Sequence, residues 1–233
     1  MTARSRFLPG FGAALCAASA VTAVLPAHAA VAITEVAAWS SGNSPVAADW
    51  FELTNTGTAA IELAGWSMDD NSATAGVAAL SGVTRLAAGQ SVIFIEGNGS
   101  ADAAFIATWF GANAPAGLVI GHYSGSGVGL GTGGDAVNVF DAAHVLQANV
   151  GFGASPSSAP FATFDNGAGL NGTISQLSVA GVHGAFVAAG DAAEIGSPGT
   201  IAAVPEPATW ALMLAGIGLA GSLTRVRRAV LEA

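Results

Sequence analysis

The chain has 233 residues, six arginines, no lysine and a formal net charge of −9. Between residues 31 and 204, 13 Asp and Glu stand against the single Arg85, a formal charge of −12. A segment of that sign repels phosphate, which argues against nucleic acid as a partner, and its acidity reads as a solvated face.

The first thirty residues have three parts. MTARSR carries two arginines, FLPGFGAALCAASAVTAVL is apolar, and PAHAA ends in small residues. This is the layout of a secretory signal helix over 1–30, with signal peptidase expected to cut after Ala29 or Ala30 and with Ala27 part of the small-residue site. Cys16 lies inside the apolar part, so the mature chain is expected to use neither disulfides nor thiol chemistry.

From Val31 onward the chain is rich in Gly, Ala, Ser and Thr, with short apolar runs of period two. In DWFELTNTG the period puts Phe51 and Leu53 on one face and Trp50, Glu52 and Thr54 on the other, before a turn at Asn55 to Gly57. AIELAGWSM predicts a strand around Ile61 and Leu63, with Gly65 allowing a tight bend before Trp66. SVIFIEG alternates Val92 and Phe94 against Ile93 and Ile95. SADAAFIATWFGA predicts the one helix, capped by Ser100 and carrying Asp102 in its first turn, with Phe105, Ile106, Trp109 and Phe110 as its apolar face. Further strands are expected at Leu118 to Ile120, Ala136 to Phe140, Val145 to Phe152 and Thr173 to Val179. Many short strands between turn residues point to an all-β protein, an antiparallel sandwich with one short helix. Glu35 and Glu52 are read as structural, approaching each other on adjacent strands or accepting hydrogen bonds from backbone or a Trp indole.

The last thirty residues change character. Ala208 to Thr224 contains no charge and, as a helix, would span roughly 25 Å at about 1.5 Å per residue, a short but workable transmembrane crossing. Arg225, Arg227 and Arg228 follow it and would hold the far end in the cytoplasm. Pro205 and Pro207 keep Glu206 in an extended, exposed segment suited to recognition by another protein.

This tail resembles the PEP-CTERM sorting signal of Gram-negative bacteria, through Val204-Pro205-Glu206-Pro207, the apolar helix and the terminal arginines. The resemblance implies export by the general secretory route and handling by an exosortase at the Pro-Glu-Pro block. It also implies a life near extracellular polysaccharide, which bacteria carrying such proteins tend to make. The tethered product would sit on the inner membrane by its C-terminal helix and then in the periplasm, at the cell surface or outside the cell.

A second resemblance covers the body. Ile33-Thr34-Glu35-Val36, Asp49 to Asn55, Ile61 to Trp66, Leu86 to Gly89, Gly134 to Val137, Val150 to Gly153 and Ile195-Gly196-Ser197-Pro198-Gly199 together resemble the lamin tail domain, an immunoglobulin-like sandwich. The organisation expected is a signal at 1–30, a lamin-tail-like sandwich at 31–155, and a loose extension completing it at 156–199. A linker with the Pro-Glu-Pro block follows at 200–207, then the transmembrane sorting helix at 208–224 and a basic cytoplasmic tail at 225–233. The domain implies a binding or spacer module and not a reaction.

No residues stand out for chemistry. His122, His144 and His183 lack paired metal-ligand spacing. Asp69-Asp70-Asn71 is the densest oxygen cluster but lacks the alternation and the closing Glu of a calcium loop. GLGTGG at Gly129 to Gly134 matches a phosphate-loop pattern formally, yet DAVNVF after it reads as a strand and not as the helix a phosphate needs. No Gly-x-Ser-x-Gly elbow occurs, and although scattered Asp and Glu could pair as in a glycosidase, no spacing singles out a pair. No catalytic, cofactor or metal residue is assigned. The leading reading is an exported, non-enzymatic surface or matrix protein. A glycan- or calcium-binding module, or an accessory to a polysaccharide or phosphoester hydrolase, is the alternative.

Overall fold

The computed structural model describes residues 31–200. The signal-cleavage residues Ala27, Ala29 and Ala30 lie outside the described residues. So do the sorting residues Val204 to Pro207, Arg225, Arg227 and Arg228, and the membrane helix expected at 208–224. Among the described residues no helix is long and apolar enough to cross a membrane.

The chain opens with β1 (Val31–Ala37), a one-turn α1 (Ser40–Asn43) and β2 (Trp50–Asn55). Short strands follow: β3 (Ile61–Glu62), β4 (Ser67–Asp69), β5 (Ala78–Ala79) and β6 (Arg85–Leu86). Next come β7 (Ser91–Glu96), α2 (Asp102–Phe110), β8 (Ile120–Tyr123), β9 (Asp135–Phe140) and β10 (Leu146–Phe152). The remainder holds β11 (Phe161–Ala162), β12 (Phe164–Asp165), β13 (Gly172–Ile174), β14 (Phe186–Val187) and β15 (Glu194–Gly196).

Two five-stranded sheets, in the orders β12-β1-β2-β7-β8 and β13-β10-β9-β4-β5, enclose the main core. The fold is the all-β sandwich the patterning predicts, of the immunoglobulin-like kind the second resemblance implies, with the pairs β7–β8 and β10–β13 parallel and not antiparallel. Phe51 and Leu53 of β2 and Val92 and Phe94 of β7 point into it, against Met68, Val137, Val139 and Val150 from the second sheet. On β1 the register slips between Ile33 and Glu35. Such a bulge reverses the alternation, so Ile33 and Val36 both reach the main core while Glu35 and Ala37 turn to the other side.

That other side is also covered, which the alternation does not reveal. Trp50, Ile93 and Ile95 pack beneath α2 in a second apolar cluster with Trp39, Phe105, Trp109 and Phe110. Phe161 and Phe186, from a small third sheet ordered β11-β15-β14, pack against the same cluster. Three tryptophans and Phe105 are fully buried there, with Trp50 edge-on to Trp109 at 5.5 Å and to Phe105 at 5.4 Å between ring centroids.

Several local expectations shift. The helix is capped by Ala101, which makes no side-chain bond, and not by Ser100; the Asp102 carboxylate instead meets the His122 ring at 2.9 Å. The strand expected at Leu118 to Ile120 runs as Ile120–Tyr123, because its pairing is parallel to β7, Ile93 opposite Ile120. The strand expected at Thr173 to Val179 is shortened to Gly172–Ile174, Leu177 forming a separate bridge to Phe164.

Gly121 shows how tightly β8 is drawn in. A Cβ there would lie 2.5 Å from the Phe94 ring and 2.9 Å from the Ser81 carbonyl oxygen, neither of which is free to retreat. Gly121→Ala is therefore expected to lower stability by about 1–3 kcal/mol, the usual range for overpacking a filled core. A urea titration followed by tryptophan fluorescence measures it; an unchanged midpoint would show that β8 yields.

Candidate functional site

The oxygen cluster at Asp69-Asp70-Asn71 comes together at the end of β4, but its carboxylates serve the loop itself. Asp69 Oδ2 accepts from Ser72 Oγ at 2.5 Å and from the Thr74 N–H at 2.6 Å. Asp135 accepts the N–H groups of Asn71, Gly131 and Ala136. Among the described residues no three side chains of the His, Cys, Asp and Glu set are placed to hold a metal ion. The Gly129 to Gly134 stretch leads straight into β9, and its Gly131 N–H is turned to Asp135. The three histidines are not brought together: His122 bonds Asp102, His183 bonds Asp165 at 2.8 Å, and His144 sits in a turn with φ of 63°.

What the fold does assemble is a buried acidic pair on the outer face of the first sheet. Glu35 and Glu52 are opposite one another in the β1–β2 register and are 1% and 2% exposed. Alternation alone would give such residues to solvent; here the third sheet and the segment after it cover them. Glu35 Oε1 accepts from Thr163 Oγ1 at 2.6 Å and from the Ser197 N–H at 2.6 Å. Glu52 Oε1 accepts from Thr34 Oγ1 at 2.6 Å, and its Oε2 from the Gly199 N–H at 2.7 Å. A hydroxyl chain continues from Thr34 through Thr54 to Ser91. Backbone and hydroxyl donors are thus the partners. The indoles are not: Trp39 Nε1 donates to the Ala162 carbonyl, while Trp50 and Trp109 Nε1 have no partner among the described residues.

Burial pushes the Glu35 carboxyl up to about 8, with the Glu52 charge adding to it and the Thr163 and Ser197 bonds opposing it. Burial likewise raises Glu52 to about 7 against the Thr34 and Gly199 bonds. Two more acids share the condition. Asp49 rises to about 6 through burial, offset by its bond from Ser41, and Glu194 to about 7 through burial, with Asp191 adding to it and the Ser44 hydroxyl as a counterweight. Neither Glu194 oxygen has a hydrogen bond of full geometry.

Paired carboxyls suggest acid–base work, but the space beside them does not. The cleft at Glu52, between Thr34, Asp165, His183 and Thr200, offers about 10 Å³, room for one water molecule. Ligand pockets for small molecules run to several hundred Å³. A sugar ring does not fit there, and Glu35 lies behind it with no exposed atom on Oε2. The pair holds structure.

Thr163, Ser178, Ser197 and Gly199 are members of this cluster that strand patterning passes over. Ser197 and Glu35 are 162 positions apart, and the only local sign is the closing Gly-Ser-Pro-Gly.

Two protein-family models match the chain. The model described as Lamin Tail Domain matches residues 25–154, more than half of the sequence, and the model of the PEP-CTERM protein-sorting motif matches residues 203–228. No curated protein matches it.

Proposed function

The chain belongs to the lamin tail domain family, and on that premise we propose that it is an exported, non-enzymatic surface or matrix protein, tethered and processed at its C-terminal signal and associated with extracellular polysaccharide. The PEP-CTERM motif implies export and processing by an exosortase. The observation that carries the reading is position: Gly199 and Thr200 are still bonded into the domain, and the motif match begins at 203. An acidic sandwich is thus delivered directly to a sorting tail. Both matched families are non-catalytic, and the assembled acidic pair lacks substrate-sized space, which together favour display over turnover. Signal peptidase acting near Ala27, Ala29 and Ala30 and a membrane helix at 208–224 complete the proposal.

Expression in a host with and without an exosortase tests the reading. With the enzyme, the product is expected to lose the mass of its C-terminal segment and to leave the membrane fraction; without it, to stay whole and membrane-bound. Equal mass and equal membrane retention in both hosts would refute processing. Co-sedimentation of the released product with the host's polysaccharide tests the association.

A further inference from the structure

The segment Ser197 to Thr200 is the described chain's last stretch, and its hold on the domain is unusual. Two of its backbone N–H groups, on Ser197 and Gly199, end on two different buried carboxyls, Glu35 and Glu52. It closes on itself as a turn, Thr200 N–H and Oγ1 both donating to the Ser197 carbonyl. It is also pressed onto the acids: a Cβ on Gly196 would lie 2.7 Å from Glu35 Oε1 and 2.7 Å from Trp109.

Among the described residues no arginine or lysine stands beside these acids. Arg85 is the only Arg or Lys between residues 31 and 200, and it pairs with Glu62 on the far β3–β6 ribbon. The titratable groups facing the pair are acidic or already engaged. Asp165 of β12 stands opposite Glu35 and is bonded to His183, and β15 brings Glu194. Two carboxylates this deeply buried, with no arginine or lysine beside them, cannot both ionise without strong mutual repulsion.

The geometry points to a proton-operated latch: Glu35 and Glu52 hold the strap Ser197–Thr200 closed while at least one of them is protonated, and loosen it when both ionise. With one proton on the pair, it carries a single charge and the strap's N–H bond to the ionised carboxylate is charge-assisted. With none, two like charges face each other, and the nearest water is the cleft at Glu52, whose wall includes Ser197 and Thr200 of the strap. β15 is tied to β11 and to β14 by two residue pairs each, whereas β1 and β2 share six. Opening frees Ser197 to Thr200, adding about 13 Å of reach at roughly 3.3 Å per residue. That lengthens the leash of the sorting motif, a consequence that rests on the function proposed above; the latch itself does not. The residues that build the strap lie beyond the match to the family model, which ends at 154.

Amide exchange of the full-length protein in detergent micelles, read by mass spectrometry over residues 192–200 and corrected for the intrinsic pH dependence of exchange, tests the latch without any processing enzyme. Protection of the Ser197 and Gly199 amides is expected to fall at least tenfold between pH 6 and pH 9, with β9 unchanged. In the Glu35→Gln/Glu52→Gln double variant the fall is expected to vanish. Constant protection in the native chain, or the same fall in the double variant, overturns the latch. If the double variant does not fold, carbon-13 titration of the native glutamates decides: at least one of the pair titrating above pH 6 supports it, and both titrating below pH 6 overturns it.

Discussion

Trp109→Ala is expected to cost the fold about 3–5 kcal/mol, the range for deleting a fully buried large aromatic side chain. Trp109 is 0% exposed and sits at the centre of the outer cluster, edge-on to Trp50 at 5.5 Å and to Phe186 at 6.0 Å. Its Nε1 has no partner among the described residues, so the loss is one of packing and not of a hydrogen bond. The neighbours cannot close the gap, because Trp50 and Phe105 rise from separate elements that the first sheet and α2 fix in place. The damage should also be uneven. The main core between the two large sheets does not include Trp109, whereas α2 and the third sheet meet the first sheet through it. Exchange protection is therefore expected to drop first in α2 and in residues 161–200, with β9 and β10 holding longer. Urea denaturation measures the total and amide exchange the order. A loss below about 1 kcal/mol, or a uniform drop in protection, would mean the outer layer is not a packed unit.

The reason that layer is hard to foresee lies in particular residues. Alternation in Phe51, Leu53, Val92 and Phe94 announces the sandwich, and DAVNVF announces β9, because a sheet that buries one face writes period two into its strands. The helical spacing of Phe105, Ile106, Trp109 and Phe110 announces α2 and its apolar face, of which all but the half-buried Ile106 join the second cluster. The cover over Glu35 and Glu52 writes nothing comparable. β11 and β14 are two residues long, β15 three, and the chain between them is rich in Gly, Ala and Ser. Elements so short carry no period. Trp50, Ile93 and Ile95 do hint at the second core, since a strand apolar on both faces needs two partners, yet Glu52 between them reads as solvent-facing until the strap's N–H groups are seen to reach it. The sorting tail is legible for the opposite reason: Pro-Glu-Pro, the uncharged run and the arginines are contiguous, and the family match at 203–228 needs no contact across the fold.

Melting of the full chain in mild detergent is expected to move down as pH rises, by about 6–12 °C between pH 5 and pH 9. Glu35, Glu52, Asp49 and Glu194 have folded-state values of about 8, 7, 6 and 7, each raised above the ordinary value of 4.5, or 3.8 for Asp49. The folded chain therefore binds more protons than the unfolded one across that window. Their contribution to stability is fully present below about pH 4 and is lost as pH climbs through 6 to 8, the reverse of a salt-bridged acid. Each tenfold gain in a carboxyl's proton affinity on folding is worth about 1.4 kcal/mol, but water entry and relaxation around buried acids take back much of the sum, leaving about 3 kcal/mol. For a domain of 150–250 residues that converts at about 2–4 °C per kcal/mol. The acidic surface pushes in the same direction, and salt separates the two sources. At 1 M salt the Debye length is about 3 Å, so surface repulsion is screened while the buried acids still respond. Glu35→Gln keeps an acceptor for Thr163 and Ser197 and removes the strongest titration, so it is expected to flatten the profile and to raise the melting temperature at pH 9. A melting temperature that rises from pH 5 to pH 9, or a Glu35→Gln profile parallel to the native one in high salt, would place the sensitivity elsewhere than in the acids under the strap.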